Sequence, residues 1–359
     1  MTVCILGNSL TALTLAKVLV NYKIDVHVVF NKINYKIYDS RTIGISKNNV
    51  DFFNSNIINI EKLIWNIKTI EIYSENLKKE KLLNFKANKN QLFSIIKNNK
   101  LYQLLNKDLP KSKFFRSKFS TDKNISFLDK YELVINCDPF NFITKRYFNK
   151  KISKEYNSNA YTTIISHDEI INDTAVQIFT KNGPLAFLPI SNKKTSIVYS
   201  AHNSNKREDE NIKELILHKN LNYKISHIEK INSFELKSFN LRSYYHNNIL
   251  AFGDLLHKIH PLAGQGFNMT IRDIKVLAEI IKKRLDVGLL LDSSVNLEFQ
   301  KKIKHKNLIF SNGIDLIHEF FNIERKTKTN ILSKSVKLIG NQPSINRIFT
   351  KIADRGVLF

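Results

Sequence analysis

Cysteine is nearly absent from this 359-residue chain: there are two, Cys4 and Cys137. Both fall in runs that read as buried strands. No disulfide framework and no cysteine-ligated metal site is expected, and a reducing compartment fits. Long apolar runs are also missing. None approaches the ~18 residues of a membrane-spanning helix, so the chain reads as soluble or peripheral. No secretory leader is expected, because an apolar strand already begins at Thr2. Carboxylates are in deficit: 32 Asp and Glu stand against 56 Lys and Arg, a formal net charge of +24. The lysines are scattered and no nucleic-acid recognition motif accompanies them, so nucleic acid is not an expected partner. The excess charge is either solvated surface or an attraction to an anionic surface, membrane headgroups or an acidic partner. No internal repeat is present. Hydrophobic residues make up 43%, and the length supports about two domains with real cores.

Two segments carry chemistry. The first is residues 2–31. Thr2–Leu6 is a short apolar strand, followed by Gly7-Asn8-Ser9-Leu10-Thr11-Ala12, a helix with Leu13, Ala16, Val18, Leu19 and Val20, and a second strand from Val26 to Phe30. This is a βαβ unit with G-x-S-x-x-A where dinucleotide folds have G-x-G-x-x-G. Ser9 is small enough to let the backbone approach a pyrophosphate, and its hydroxyl can donate to one. Ala12 permits close helix–strand packing. The acidic residue that normally ends the second strand and grips a ribose is missing. Asn31 stands there, a weaker partner for a hydroxyl. Alone, the segment equally describes a plain α/β unit with a tight turn.

The second segment is Gly253–Asp273. An apolar strand, Asn248–Phe252, runs out into Gly253-Asp254. A Pro-Leu-Ala-Gly-Gln-Gly turn (261–266) then opens a helix with apolar spacing at Ile271, Ile274, Leu277, Ala278 and Ile281. A carboxylate at a strand end can accept hydrogen bonds from sugar hydroxyls. A Gly-rich turn into a helix presents unpaired N–H groups and a partial positive charge to an electron-rich ligand. His257 and His260 suggest a metal site with Asp254, but further ligands are not apparent and the Pro-Gly turn breaks helical spacing, so none is expected.

Between and beyond these segments, Trp65–Tyr73 alternates as a strand, and Leu92–Leu105 reads as helix. Residues 106–124 read as a Lys- and Ser-rich loop around Pro110, and Leu133–Cys137 as a buried strand. From 151 to 245 short β runs separated by Asn, Gly and Lys turns predict one mainly antiparallel sheet. A polar turn at Asn203–Glu210 leads into a helix to Leu221. The remainder reads as helical, with an apolar stripe from Leu308 to Phe321 repeated at Ile345–Ile352. That stripe packs on the protein's own core or offers a basic amphipathic surface to a membrane or partner.

The two segments together resemble the flavin-dependent aromatic hydroxylases, and within them the UbiH/UbiF/VisC branch, which hydroxylates ubiquinone precursors. Pro261–Asn268 with Asp273 fits that branch's HPLAGQG-x-N-x-x-x-x-D closely. Asp39–Ser46 is similar to its D-x-R-x-x-A-L-S run. Ala175-x-Gln177-x-Phe179 and Gly183–Pro189 are similar to its A-x-Q-x-F…GPLA-x-LP. The resemblance implies an α/β fold: a Rossmann-like FAD-binding domain (1–60, 86–150, 246–300), an inserted, mainly antiparallel β-sheet substrate domain (61–85, 151–245) and a helical C-terminal region (301–359). It implies FAD as cofactor, NAD(P)H as transient reductant and a polyprenylated phenol as substrate. Its ring would be hydroxylated with O2 through a flavin C4a-hydroperoxide. Other readings are hydroxylation of a different aromatic compound, or a flavin-poor, non-catalytic subunit of a ubiquinone biosynthesis complex. The expected location is cytoplasmic, either free or peripheral at the inner membrane face.

By that resemblance Gly7, Ser9, Leu10, Ala12, Asn31, Arg41, Asp138, Gly253 and Asp254 hold FAD, with Asp254 on the ribityl chain and Arg41 on the pyrophosphate. Pro261, Gly264, Gly266, Phe267 and Asn268 present amides, and Asn268 its side chain, to the flavin's pyrimidine end, where donors raise its potential. The substrate pocket lies between Phe187–Pro189 and Pro261-Leu262-Ala263. No general base is identified. Three departures stand out. The family's Ala-Asp-Gly reads Cys137-Asp138-Pro139, which removes an amide donor. Leu255-Leu256 replaces two small residues expected beside the flavin tail. An expected Arg near residue 90 has only Lys89 or Asn90 in its place.

Overall fold

The computed structural model describes residues 2–31, 40–75, 81–86, 91–120, 126–202, 209–260 and 264–327. The chain opens with β1 (Thr2–Leu6), α1 (Leu10–Asn21) and β2 (Asp25–Phe30). Next come β3 (Thr42–Ser46), α2 (Lys47–Phe52), β4 (Ile64–Ile67), β5 (Thr69–Ser74) and β6 (Lys81–Lys86). Then follow β7 (Phe93–Lys97), α3 (Asn98–Asp108), β8 (Phe115–Phe119), β9 (Leu133–Asn136) and α4 (Phe142–Tyr147). The long strands are β10 (Lys151–His167), β11 (Thr174–Thr180), β12 (Gly183–Ser191) and β13 (Lys194–His202). After α5 (Asp209–Lys219) come β14 (Ile225–Ile228), β15 (Asn232–Leu241), β16 (Tyr245–His246), β17 (Ile249–Ala251) and β18 (His257–Lys258). Two long helices, α6 (Gln265–Asp286) and α7 (Ser293–Thr327), end the described chain.

Three sheets result. A six-stranded sheet runs β16-β17-β9-β1-β2-β8, parallel except for the β16–β17 hairpin. β1 and β9 are buried along almost their whole length, which is why they read as unbroken apolar runs. α1 is apolar over most of its surface and sits deep in the core, with Leu15, Ala16, Val18 and Leu19 fully buried and Lys17 paired with Asp108. A nine-stranded sheet runs β18-β15-β10-β13-β12-β11-β5-β6, with β14 added on β10; every pairing is antiparallel except β5 with β11. The third is a small antiparallel sheet, β3-β7-β4. This is a Rossmann-like domain with an inserted, mainly antiparallel sheet and helices at the C-terminal end.

The nine-stranded sheet has two faces of different character. Tyr73, Val176, Ile178, Leu185, Phe187, Ile197 and Tyr199 pack with Ile212 and Ile216 of α5. The alternate residues on the same strands point the other way and line a cavity described below.

Three local expectations are corrected. Phe93–Lys97 is strand, not helix: Ile95 and Ile96 pair between β3 and β4, and tertiary pairing outweighs the apolar spacing of the helix that follows. Residues 115–119 are not loop but an edge strand on β2. Its exposed Arg116 and Lys118 disguise it, and such charges discourage edge-to-edge pairing. The Trp65–Tyr73 run divides at Lys68, whose N–H bonds Asp173 O, so β4 and β5 enter different sheets. Residues 203–208 and the Ile345–Ile352 stripe lie outside the described residues. Among those described, no helix is long and apolar enough to cross a membrane.

Candidate cofactor and substrate site

The strand order reverses direction between β1 and β9, so a crevice opens beyond their carboxyl ends, where open α/β sheets bind ligands. Three motif segments arrive there on adjacent strands. Gly7 follows β1, Asp138 follows β9, and Gly253-Asp254 follows β17. Gly7 has φ +96°, and a Cβ on it would stand 3.2 Å from Cβ of Asp138. Only glycine fits this turn without strain. Ser9 caps α1, its Oγ accepting from Ala12 N at 3.3 Å. The Ser9 hydroxyl proton is left over to donate. Ala12 is fully buried, as close helix–strand packing requires.

Asp138 is buried, and its Oδ1 accepts from Phe140 N at 2.8 Å, closing a turn around Pro139. The proline is thus accommodated by the side chain that precedes it. Asn31 follows β2, exposed and outside the cavity lining. Leu255 and Leu256 are fully buried in the main core and do not line the cavity. The two bulky residues that replace small ones in this motif are thus taken up by the core rather than by the cavity.

A cavity of about 630 Å³ extends from this crevice to the nine-stranded sheet. Its lining includes Ser9, Leu10, Thr11, Arg41, Gly44, Asn98, Asp254 and Gly264–Phe267. Asp254 is exposed, and among the described residues its carboxylate makes no hydrogen bond or ion pair. Arg41 is likewise exposed at the rim. The start of α6 has Gly264 at φ +63° and no side-chain cap, so its first N–H groups face the cavity without a side-chain acceptor. Asn98 Oδ1 and Gln265 Oε1 are buried cavity-lining oxygens with no partner among the described residues, and Asn8 Oδ1, outside the lining, is likewise buried and unpaired among them. Unpaired buried oxygens of this kind are what a polar ligand would satisfy.

Asn268 is wholly buried and is not in the lining. Its Oδ1 accepts from Ser46 N and Asn49 Nδ2, both at 2.9 Å, and its Nδ2 donates to Gly44 O at 3.0 Å. The side chain therefore staples β3 and α2 to α6, which corrects its expected role as a direct ligand. Asp273 accepts from His257 Nε2 at 2.5 Å and from Asn307 Nδ2 of α7 at 3.2 Å. It joins β18, α6 and α7 deep in the protein.

On β12 the expected pocket residues have the wrong parity. Phe187 is buried against α5, and Pro189, also buried, stands on that same side by strand alternation; Pro184, Ala186 and Leu188 line the cavity instead. Pro261, Leu262 and Ala263 lie outside the described residues, as do Asp39, Lys89 and Asn90. Residues that sequence reasoning passed over also line the cavity, among them Thr11, Phe93, Asn98, Lys237 and Lys258. Thr11 sits inside the turn motif and was findable there; the others carry no local signal.

Comparisons with known proteins bear on the fold and on the kind of protein this chain resembles. A family model described as an FAD binding domain matches residues 152–292, a span that includes Asp254 and Gly264–Asn268. A chain solved from Pseudomonas aeruginosa, PqsL, a probable FAD-dependent monooxygenase, superposes with a TM-score of 0.71 over 94% of this chain and 99% of that one, at 15% identity. This chain has the fold of the FAD-dependent monooxygenases. By sequence it is 22% identical over 262 residues to the ubiquinone biosynthesis monooxygenase COQ6 of Drosophila melanogaster, covering 61% of this chain and 55% of that one. It is 28% identical over 156 residues to the 3-demethoxyubiquinol 3-hydroxylase of Escherichia coli, covering 42% and 40%. The chain thus spans about half the length of the curated relatives it matches. The resemblance to aromatic hydroxylases of the ubiquinone type stands on these relatives together with the fold.

Proposed function

We propose that the protein is an FAD-dependent monooxygenase that hydroxylates the aromatic ring of a ubiquinone precursor, with NAD(P)H as reductant. The observation that carries this reading is one continuous cavity. It begins at the switch point between β1 and β9, passes the start of α6 and ends on the face of the nine-stranded sheet.

The residues present fit FAD. Asp254 would accept from ribityl hydroxyls, Ser9 and the first turn of α1 would donate to the pyrophosphate, and Arg41 would neutralise it. The N–H groups at the start of α6 would face the flavin ring. When bound and reduced, FAD supplies the activation of O2 for transfer to an electron-rich ring. The chain's own task is to position the ring and keep water out. Ile70, Ile72, Phe85, Leu92, Phe93 and Leu188 wall the substrate end with apolar surface, which strengthens every polar interaction inside it. The same apolar walls suit a polyprenyl tail. The net charge of +24 favours delivery from an anionic membrane surface or through an acidic partner of a biosynthetic complex.

The visible absorbance spectrum of the purified protein, with and without added FAD, tests the reading. A bound-flavin spectrum, followed by NAD(P)H oxidation stimulated by prenylated phenols, is the expected result. A colourless protein that cannot be reconstituted overturns it in favour of a non-catalytic subunit.

A further inference from the structure

The cavity face of the nine-stranded sheet is ordered in rows. One row crosses the strands as Ile72 on β5, Gln177 on β11, Ala186 on β12, Val198 on β13 and Thr162 on β10, each paired with the next in register. Ile72, Ala186 and Val198 are apolar. Thr162 at the far end is engaged with Ser40, Oγ1 to Oγ at 3.5 Å. Gln177 lies about 14 Å from Thr162 at the usual strand spacing. Its carboxamide makes no hydrogen bond among the described residues, yet it lines the cavity. The amide is half-buried at the cavity surface between apolar neighbours, so a ligand in the cavity meets its donor and acceptor directly.

The neighbours of Gln177 fix what it faces. Ala175, Gln177 and Phe179 share one face of β11 by strand alternation. Ala175 packs in a cluster with Phe93, whose ring stands 3.9 Å from the Cβ position at Gly264. Phe179 packs with Ile259 and Met269, which bracket the start of α6 in sequence. Gln177 sits between these two contacts, so it faces the helix start where the flavin ring is proposed to lie. Beside it, Ala186 and Val198 leave a floor of small side chains on which a planar ring can rest.

We propose that Gln177 is the specificity-determining residue of the substrate pocket, hydrogen-bonding the oxygen substituent of a phenol whose ring lies over Ala186 and Val198. The assignment rests on the hydroxylase reading above. A carboxamide suits this task because it accepts from a phenol O–H through Oε1 and donates to an oxygen through Nε2. By fixing one oxygen, it sets which ring carbon points at the flavin.

The test uses the full chain loaded with FAD and two matched probes, nonylphenol and nonylbenzene. Affinities are read from the perturbation of flavin absorbance on titration. The wild-type protein is expected to prefer the phenol by roughly five- to tenfold, the scale of one hydrogen bond in a partly buried site. Gln177→Leu is expected to abolish that preference while keeping nonylbenzene affinity and the flavin spectrum. Gln177→Glu, which retains an acceptor, is expected to restore it. A Gln177→Leu protein that still prefers the phenol overturns the role of Gln177. So does a variant that loses both probes equally, which marks Gln177 as packing, or a wild type that does not distinguish them. A protein that binds no FAD fails earlier and overturns the hydroxylase reading itself.

Discussion

Gly253 packs directly on Thr11: a Cβ at Gly253 would stand 2.6 Å from Thr11 Cγ2, and its backbone has φ +64°. The end of β17 thereby touches the first turn of α1, and the two halves of the candidate cofactor site are held together by the absence of a side chain. Gly253→Ala is expected to cost about 1–3 kcal/mol of stability, from the left-handed backbone and the clash combined. Thr11→Ala in the same chain should recover the steric part and leave the backbone part. A double-mutant cycle read by thermal unfolding separates the two.

Asp254 carries the most direct prediction. Its carboxylate is exposed at the cavity and unengaged among the described residues, so Asp254→Ala removes nothing that folding uses. The variant should unfold at the wild-type temperature yet bind FAD about ten- to a hundredfold more weakly, the scale of hydrogen bonds to a charged group. Retention of stoichiometric flavin after dialysis would refute the assignment.

Asn268 should behave in the opposite way. Asn268→Leu removes the buried hydrogen bonds to Ser46 N and Gly44 O and is expected to cost roughly 2–3 kcal/mol. The start of α6 then loosens, so FAD affinity falls as well. Urea unfolding together with flavin content distinguishes this pattern from that of Asp254→Ala.

Glu75 gives a pH dependence. Burial pushes its carboxyl up, but hydrogen bonds from Lys219 Nζ and Lys181 N, both 2.6 Å, with their positive charges, bring it below the ordinary value. A depressed folded-state value means the stabilisation is full above the unfolded pKa of about 4.3 and fades as acid protonates the folded form. Glu75→Gln should therefore be less stable than wild type by about 1 kcal/mol at pH 7. The gap should close as pH falls through the acid range. A melting-temperature gap that stays constant with pH would show that the charge contributes nothing.

Both cysteines should be silent in the folded protein. Burial pushes the Cys4 thiol up to about 12 and raises Cys137 further. Neither should react with a thiol reagent at pH 8 until the chain is unfolded. Rapid labelling of the native protein would contradict the packing of β1 and β9.

The sequence made the strand ends readable because each is an apolar run stopped by Gly or Asp, a purely local signal. Gly7, Asp138 and Gly253-Asp254 could be named that way, but their meeting beyond adjacent strands depends on strand order, which no local signal carries. β12 shows a different limit. Gly-Pro-Leu-Ala-Phe-Leu-Pro is apolar throughout, because one face meets α5 and the other the cavity, so nothing in it marks which parity is which. Phe187 and Pro189 were the conspicuous residues, yet Ala186 and Leu188 line the site. Asn268 was legible as a site residue by its position after the Gly-Gln-Gly turn. Its task as a staple was not, since Gly44, Ser46 and Asn49 lie more than two hundred residues away.

The order in which the chain visits its sheets has a consequence for its history. After β1 and β2 it enters the small sheet, then the nine-stranded one at β5 and β6. It returns to the small sheet at β7 and the parallel one at β8 and β9, leaves again for β10–β15, comes back at β16 and β17, and departs once more at β18. No layer corresponds to one uninterrupted stretch of gene. Recombination at a single crossover cannot exchange a layer with a relative, so such a protein diverges by substitution in place, each residue changing against partners that stay behind.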